Sequence, residues 1–224
     1  MLRAVIDLQN QDGIFVLRMQ SGENRFNLPF IDALDAALDQ VEQVQARALV
    51  TVGEGKFYSN GLDLEWMGGP GREQAAATVG RVHKLLGRML AFPTITVAAL
   101  NGHTFAAGAM LALAHDFRVM RDDRGFFCLP EADIQIPFTE AMDAVIRCKL
   151  SKATAHEAMV TGRRYTAEQA RSAQIVHDSA AEAEVLPAAL TLAKTYAGKH
   201  APTLTAIKRT MYQTALAACD AASK

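Results

Sequence analysis

Glu131 stands in an apolar run, Leu129-Pro130-Glu131-Ala132-Asp133-Ile134, directly after a short segment of strand character. A carboxylate taken out of water is pushed towards neutrality, where it becomes a useful proton acceptor. Taken alone, the run also fits an ordinary solvated loop glutamate. Two glycine-containing turns offer the complementary chemistry: Phe57-Tyr58-Ser59-Asn60-Gly61-Leu62-Asp63-Leu64 and Asn101-Gly102-His103-Thr104-Phe105-Ala106-Ala107-Gly108. Each follows an expected strand, and the second opens a helix. Amides in a helix's first turn have no internal partner and lie at the positive end of its dipole, so they suit a developing oxyanion. The small Ala106, Ala107 and Gly108 would admit a ligand carbonyl, though they would equally serve close packing of helix on sheet.

Other catalytic signatures are missing from the sequence. Gly53-Glu54-Gly55-Lys56 lacks phosphate-loop spacing and is followed by Phe57, and there is no G-x-S-x-G elbow, H-E-x-x-H pair or G-x-G-x-x-G turn. Six histidines (His83, His103, His115, His156, His177, His200) have no ligand spacing and read as structural or solvated, so no metal is expected. Cys128, Cys148 and Cys219 are odd in number without a C-x-x-C pair, which argues against a disulfide framework and fits a reducing cytoplasm. Twenty-three Lys and Arg against 24 Asp and Glu give a net charge of -1. There is thus no overall pull towards nucleic acid or an anionic membrane, and any anionic ligand must be held locally. The start, MLRAVIDLQNQDG, carries charge where a signal peptide needs an apolar run, and the apolar 94–116 stretch is broken by Asn101, Gly102 and His103. No export and no membrane span are expected.

The elements that must position these residues follow from periodicity. With 224 residues, 50% hydrophobic and 21% charged, the chain suits one α/β or α+β unit. Residues 3–8 and 13–19 read as a hairpin around the turn Gln9-Asn10-Gln11-Asp12-Gly13. Apolar spacing predicts helices from Pro29 to Val44 and over 73–90, each followed by a buried strand, 47–52 and 94–100, as in a parallel crossover. A buried helix is expected over 105–114, with strands at 117–120 and 125–128. Helices are then expected at 139–147, 151–160, 166–172, 181–198 and 202–219, with one strand at 175–177. Gly68-Gly69-Pro70-Gly71 reads as a mobile loop.

Four motifs in order, ARALVTVGEGKFYSNGLDL, FPTITVAALNGHTFAAGAMLALAHDFRVM, GFFCLPEADI and VTGRRYTAEQA, resemble the crotonase (enoyl-CoA hydratase and isomerase) superfamily from about residue 4 to 180. The wording of FYSNGLDLEWM and of the 105–134 stretch is most similar to Δ3,Δ2-enoyl-CoA isomerases of the plant peroxisomal type. The resemblance implies an α/β crotonase spiral of β-β-α turns over 1–150 carrying the acyl site. It also implies a C-terminal helical region, 151–224, that builds a homotrimer or a dimer of trimers. The implied substrate is an acyl-CoA thioester, with no separate cofactor. Because the C-terminal Ala-Ala-Ser-Lys is not a Ser-Lys-Leu address, a cytoplasmic location is expected.

Residue by residue, the resemblance assigns the oxyanion amides to Asn60 and Ala107 and the proton carrier to Glu131. The hydratases' other glutamate falls on Met110, which can neither accept a proton nor orient water. One carboxylate suffices for an isomerase, which takes a proton from the α-carbon of a 3-enoyl thioester and returns it to the γ-carbon. Ser59, Gly61, Asp63, Leu64, Trp66, Phe105, Ala106, Gly108, Met110, Pro130, Thr139 and Glu140 are expected around the acyl group. Lys208, beside Arg209 on the last helix, is expected near the CoA phosphates, and Arg3 and Lys56 are no better distinguished. The alternatives are a hydratase, a dienoyl-CoA isomerase using Glu131 with Glu140, and a catalytically silent acyl-CoA binder.

Overall fold

The structure, a computed structural model, describes residues 4–222; Arg3 lies outside them. The chain opens with an antiparallel hairpin, β1 (Ile6–Gln11) and β2 (Ile14–Met19), closed by Asp12 and Gly13, both at positive φ. Asp-Gly supplies the two left-handed positions of a tight two-residue turn, so β1 runs to Gln11 instead of ending at Leu8. Three similar units follow. The helix α1 (Leu28–Gln43) leads to β3 (Ala48–Gly53), β4 (Phe57–Ser59), the short α2 (Leu64–Gly68) and α3 (Ala75–Leu90). Next come β5 (Ile95–Leu100), β6 (His103–Phe105) and α4 (Ala107–Ala114), then β7 (Phe117–Arg121), β8 (Phe127–Cys128) and α5 (Glu140–Lys149).

In each of these three units the first strand joins a large sheet and the second a small one. The large sheet has the order β1-β2-β3-β5-β7-β9, parallel from β2 onward, and the small sheet is β4-β6-β8. This is the spiral of β-β-α turns expected above. Alternation in β2 sorts the core: Phe15, Leu17 and Met19 face α1, α3, α4 and α5, whereas Ile14 and Val16 face the opposite layer.

Residues 151–222 supply α6 (Lys152–Thr161), α7 (Ala167–Ser172), β9 (Asp178–Ala180), α8 (Glu182–Tyr196), α9 (Ala201–Met211) and α10 (Gln213–Ala221). The strand β9 pairs with β7, and α8 buries Val185, Ala189 and Ala193 on the outer face of the large sheet. Ile175 and Val176 are not the expected strand; they plug the core, and the ladder is made by the three residues after His177. The expected last helix breaks at Tyr212, and the glycine cluster is a turn in which the Gly69 and Gly71 amides donate to Trp66 O.

Candidate active site

The three strands of the small sheet run parallel and end at one place, so the loops after β4, β6 and β8 converge. After β4 the chain turns at Gly61, φ +80°, where a Cβ would come 2.8 Å from Ala106 Cβ and 3.0 Å from Ala107 N. Only glycine permits that approach between the two turns. An isolated bridge to Phe26 then fixes the strand edge: the Phe26 amide donates to Gly61 O at 2.7 Å, and the Asp63 amide donates to Phe26 O at 3.0 Å. Those bonds use the groups flanking Leu62 and turn the Leu62 N–H to the other edge, where no acceptor meets it among the described residues. The Asn60 N–H, by contrast, is spent on Glu23 O at 2.9 Å, and the Asn60 side-chain amide donates to the Glu23 carboxylate at 2.8 Å. The Asn60 N–H, expected as an oxyanion donor, is therefore already committed, whereas the Leu62 N–H is not.

The second turn holds Ala106 at φ +51°, ψ -128°, a conformation that ordinarily belongs to glycine. With the Ala106 amide donating to Cys128 O at 3.1 Å, this twist aims the next peptide away from the sheet. Ala107 begins α4, and its N–H has no acceptor among the described residues. The far end of α4 is closed by cations: Arg118 donates to Leu113 O and His115 O, and Lys149 donates to His115 O. The helix dipole thus presents its positive end beside Leu62.

Glu131 follows β8 in a tight turn, with the Asp133 and Ile134 amides on Pro130 O and the Ile136 amide on Glu131 O. The residue is 5% exposed, and Oε2 is buried without a hydrogen-bond partner. Burial, with no cation to offset it, pushes its pKa up to about 7. It faces a cavity of about 340 Å³ lined by Leu62, Leu64, Phe105, Ala106, Ala107, Cys128, Pro130, Ile134, Ile136 and Met142, with Arg25, Asn60 and Arg164. Glu131 is the one carboxylate in that lining. Ala107, Cys128, Glu131 and Met142 are buried at the floor; Leu64, Ile134 and Arg164 are exposed at the rim.

A family model described as enoyl-CoA hydratase/isomerase matches residues 9–223. The chain belongs to the enoyl-CoA hydratase/isomerase family. It is 34% identical over 205 residues to the peroxisomal enoyl-CoA delta isomerase 2 of Arabidopsis thaliana, covering 86% of this chain and 85% of that one. A putative enoyl-CoA hydratase of Thermus thermophilus is 34% identical over 172 residues, 75% of this chain and 66% of that one. Among solved structures, an enoyl-CoA isomerase of Mycobacterium tuberculosis superposes with a TM-score of 0.91 at 25% identity, covering 98% and 96% of the two chains. The human mitochondrial Δ3-Δ2-enoyl-CoA isomerase has the same fold, with a TM-score of 0.88 at 22% identity over 98% and 91%.

In this family member the cavity gathers Asn60, Leu64, Phe105, Ala106, Ala107, Pro130 and Glu131 from the sequence-derived set and leaves the others behind it. Ser59 is fully buried, donating to Asn24 O at 2.7 Å, and Gly108 packs directly on it. Asp63 caps α2 by accepting from the Trp66 amide, and the Trp66 indole lies on Gly71. Met110 is fully buried in the α4 core instead of lining the cavity. Thr139 caps α5 and hydrogen-bonds His83 Nε2 at 2.9 Å. Glu140 is exposed on an adjoining depression that Glu131 and Ile136 also line.

Lys208 is the clearest displacement. It is 4% exposed, and its ammonium donates to Phe92 O, Thr94 O and the Asp116 carboxylate at 2.7–3.0 Å, which leaves none of its three donors for a phosphate. On the same helix Ile207 and Met211 are 51% and 66% exposed. Sequence reasoning missed Arg25, Leu62, Cys128, Ile134, Ile136, Met142 and Arg164 as cavity residues. Leu62 and Arg164 both sit inside quoted motifs, FYSNGLDL and VTGRRYTAEQA, so position within those motifs was the available signal.

Proposed function

We propose that the protein isomerises 3-enoyl-CoA to 2-enoyl-CoA by a one-carboxylate proton shuttle. The thioester oxygen sits between the Leu62 and Ala107 amides. Ionised Glu131 takes a proton from the α-carbon, and the resulting dienolate carries its negative charge on that oxygen. Protonated Glu131 then gives the proton to the γ-carbon as the double bond moves to the 2,3 position. Atoms and charge balance with no co-reactant. A positioned base contributes about 10² to 10⁴ in rate, and each oxyanion donor about 2.7 to 4 kcal/mol.

One observation supports this reading over hydration: Glu131, with a buried and unpartnered Oε2, faces a cavity that offers no second carboxylate to orient water. Glu140 is not in that lining but shares an adjoining depression with Glu131, so a dienoyl-CoA isomerase using the two together is the second reading. The experiment supplies purified protein with 3-enoyl-CoA and, separately, 2-enoyl-CoA in water. Conjugation of the first without hydration of the second is expected. A 3-hydroxyacyl product would make the protein a hydratase, and binding without turnover a silent member of its family. The exposed Ile207 and Met211 support self-association, which sedimentation velocity would read as a trimer or larger against a monomer.

A further inference from the structure

Two guanidinium groups stand in the cavity wall, and only one of them is matched by acids. Arg25 lies 2.6 Å from the Glu23 carboxylate, 3.9 Å from Asp63 and 3.8 Å from Glu65. Arg164 is exposed at the rim and paired with no carboxylate among the described residues; its guanidinium sits 5.9 Å from the centre of the Phe105 ring. Phe105 directly precedes the Ala106-Ala107 turn, so this cation is tied to the oxyanion end of the cavity.

The surroundings of Arg164 share its sign. Phe57, His103, Phe105 and Phe126 form a continuous set of ring contacts, and the Lys56 ammonium lies 5.4 Å over Phe57. The charged groups acting on His103 are Lys56, Arg124 and Arg164, with no acid among them; they add to burial in holding that imidazole below its ordinary value. In a chain of net charge -1 this corner is locally positive. An anion reaching Arg25 must compete with three carboxylates already present. One reaching Arg164 meets a planar cation with its donors uncommitted, the arrangement suited to phosphate or carboxylate.

We propose that Arg164 is the anion anchor of the site, its guanidinium pairing at the cavity rim with a negatively charged group carried by the acyl thioester. This rests on the acyl-CoA reading above. Two parts of such a ligand carry the required chemistry: a phosphate of the CoA moiety, and a carboxylate at the far end of the acyl chain. Arg164 exerts no resolved charge effect on Glu131, so it acts as a positioning residue, and its loss raises KM while leaving kcat nearly unchanged.

The test is calorimetric titration of wild type, Arg164→Gln and Arg164→Lys with three unreactive saturated thioesters: hexanoyl-CoA, hexanoyl-pantetheine, which lacks the phosphates, and adipyl-CoA, which adds a chain carboxylate. The expected result is weakening by about tenfold or more in R164Q, partly restored in R164K and smaller at high salt. A loss on hexanoyl-CoA with hexanoyl-pantetheine unchanged assigns the phosphate; a loss on adipyl-CoA beyond that on hexanoyl-CoA assigns the carboxylate. Equal binding of all three ligands by wild type and R164Q, or an equal loss on the uncharged hexanoyl-pantetheine, overturns the anchor alone. Failure of wild type to bind any of the three would overturn the acyl-CoA reading with it.

Discussion

The two ends of α4 bury polar groups in opposite ways. At its C-terminus the accounting is complete. Arg118 donates to Ile175 O, Leu113 O and His115 O, Lys149 to His115 O and the Tyr212 hydroxyl, and Lys208 to two carbonyls and Asp116. His115, fully buried and held neutral with its pKa near 4, donates from Nδ1 to Leu111 O while Nε2 meets the Thr51 hydroxyl. Beside its N-terminus the Leu62 and Ala107 amides and the Glu131 Oε2 have no partner among the described residues. Native interiors satisfy nearly all buried polar groups, so an unsatisfied set that converges on a cavity marks where a ligand completes the bonding. The satisfied end holds the helix in place, and the unsatisfied end is available for chemistry.

That contrast breaks most sharply at Glu131. Glu131→Gln should lower kcat on 3-enoyl-CoA by about 10² to 10⁴ while leaving the affinity for a saturated acyl-CoA little changed, as read by steady-state kinetics and calorimetry. Equal losses in rate and binding would make Glu131 a structural group. At the other end, Lys208→Ala leaves Asp116 without its cation and should cost about 3 to 5 kcal/mol in denaturant unfolding, with kcat per folded molecule retained. An unfolding midpoint equal to wild type would deny the satisfied end its structural role.

A smaller effect follows from proton linkage. Glu131 titrates near 7 in the folded chain against an ordinary 4.5, so between those values the folded chain holds a proton that the unfolded chain releases. Its contribution to stability is complete below about 4.5 and is lost as the pH rises through about 7, a change of about 3 kcal/mol. Unfolding of wild type and Glu131→Gln at pH 5 and pH 8 should therefore diverge, the variant being relatively more stable at pH 8. Parallel curves would contradict the burial argument. The smallest change expected is at Ala106, whose φ of +51° glycine adopts without strain. Ala106→Gly should stabilise by about 1 kcal/mol, the relieved strain outweighing the greater freedom of the unfolded chain.

Much of the scaffold was legible because burial imposes periodicity. Phe30, Ile31, Leu34, Leu38 and Val41 repeat at helical spacing and all face the core of α1, and the apolar runs of β3 and β5 are buried on both faces. Other features depend on contacts that no local pattern carries. Lys208 is inside because Asp116 and two carbonyls, far off in sequence, wait for its ammonium. The free amide is that of Leu62 and not Asn60 because Glu23 O and the Phe26 bridge decide which N–H groups are consumed. Ile175 and Val176 looked like a strand since apolar residues in a loop plug and in a strand read alike. Glu131 itself was found from its apolar neighbours, and its unpartnered oxygen became visible only in the fold.

The most direct measurement is the pH dependence of kcat/KM for 3-enoyl-CoA, which reports the ionisation of the free enzyme's base. The rate should fall as the acidity rises, with a midpoint near pH 7, because only the ionised Glu131 can accept the α-proton. A profile flat down to pH 5 would place that carboxylate in an ordinary aqueous setting and contradict the account.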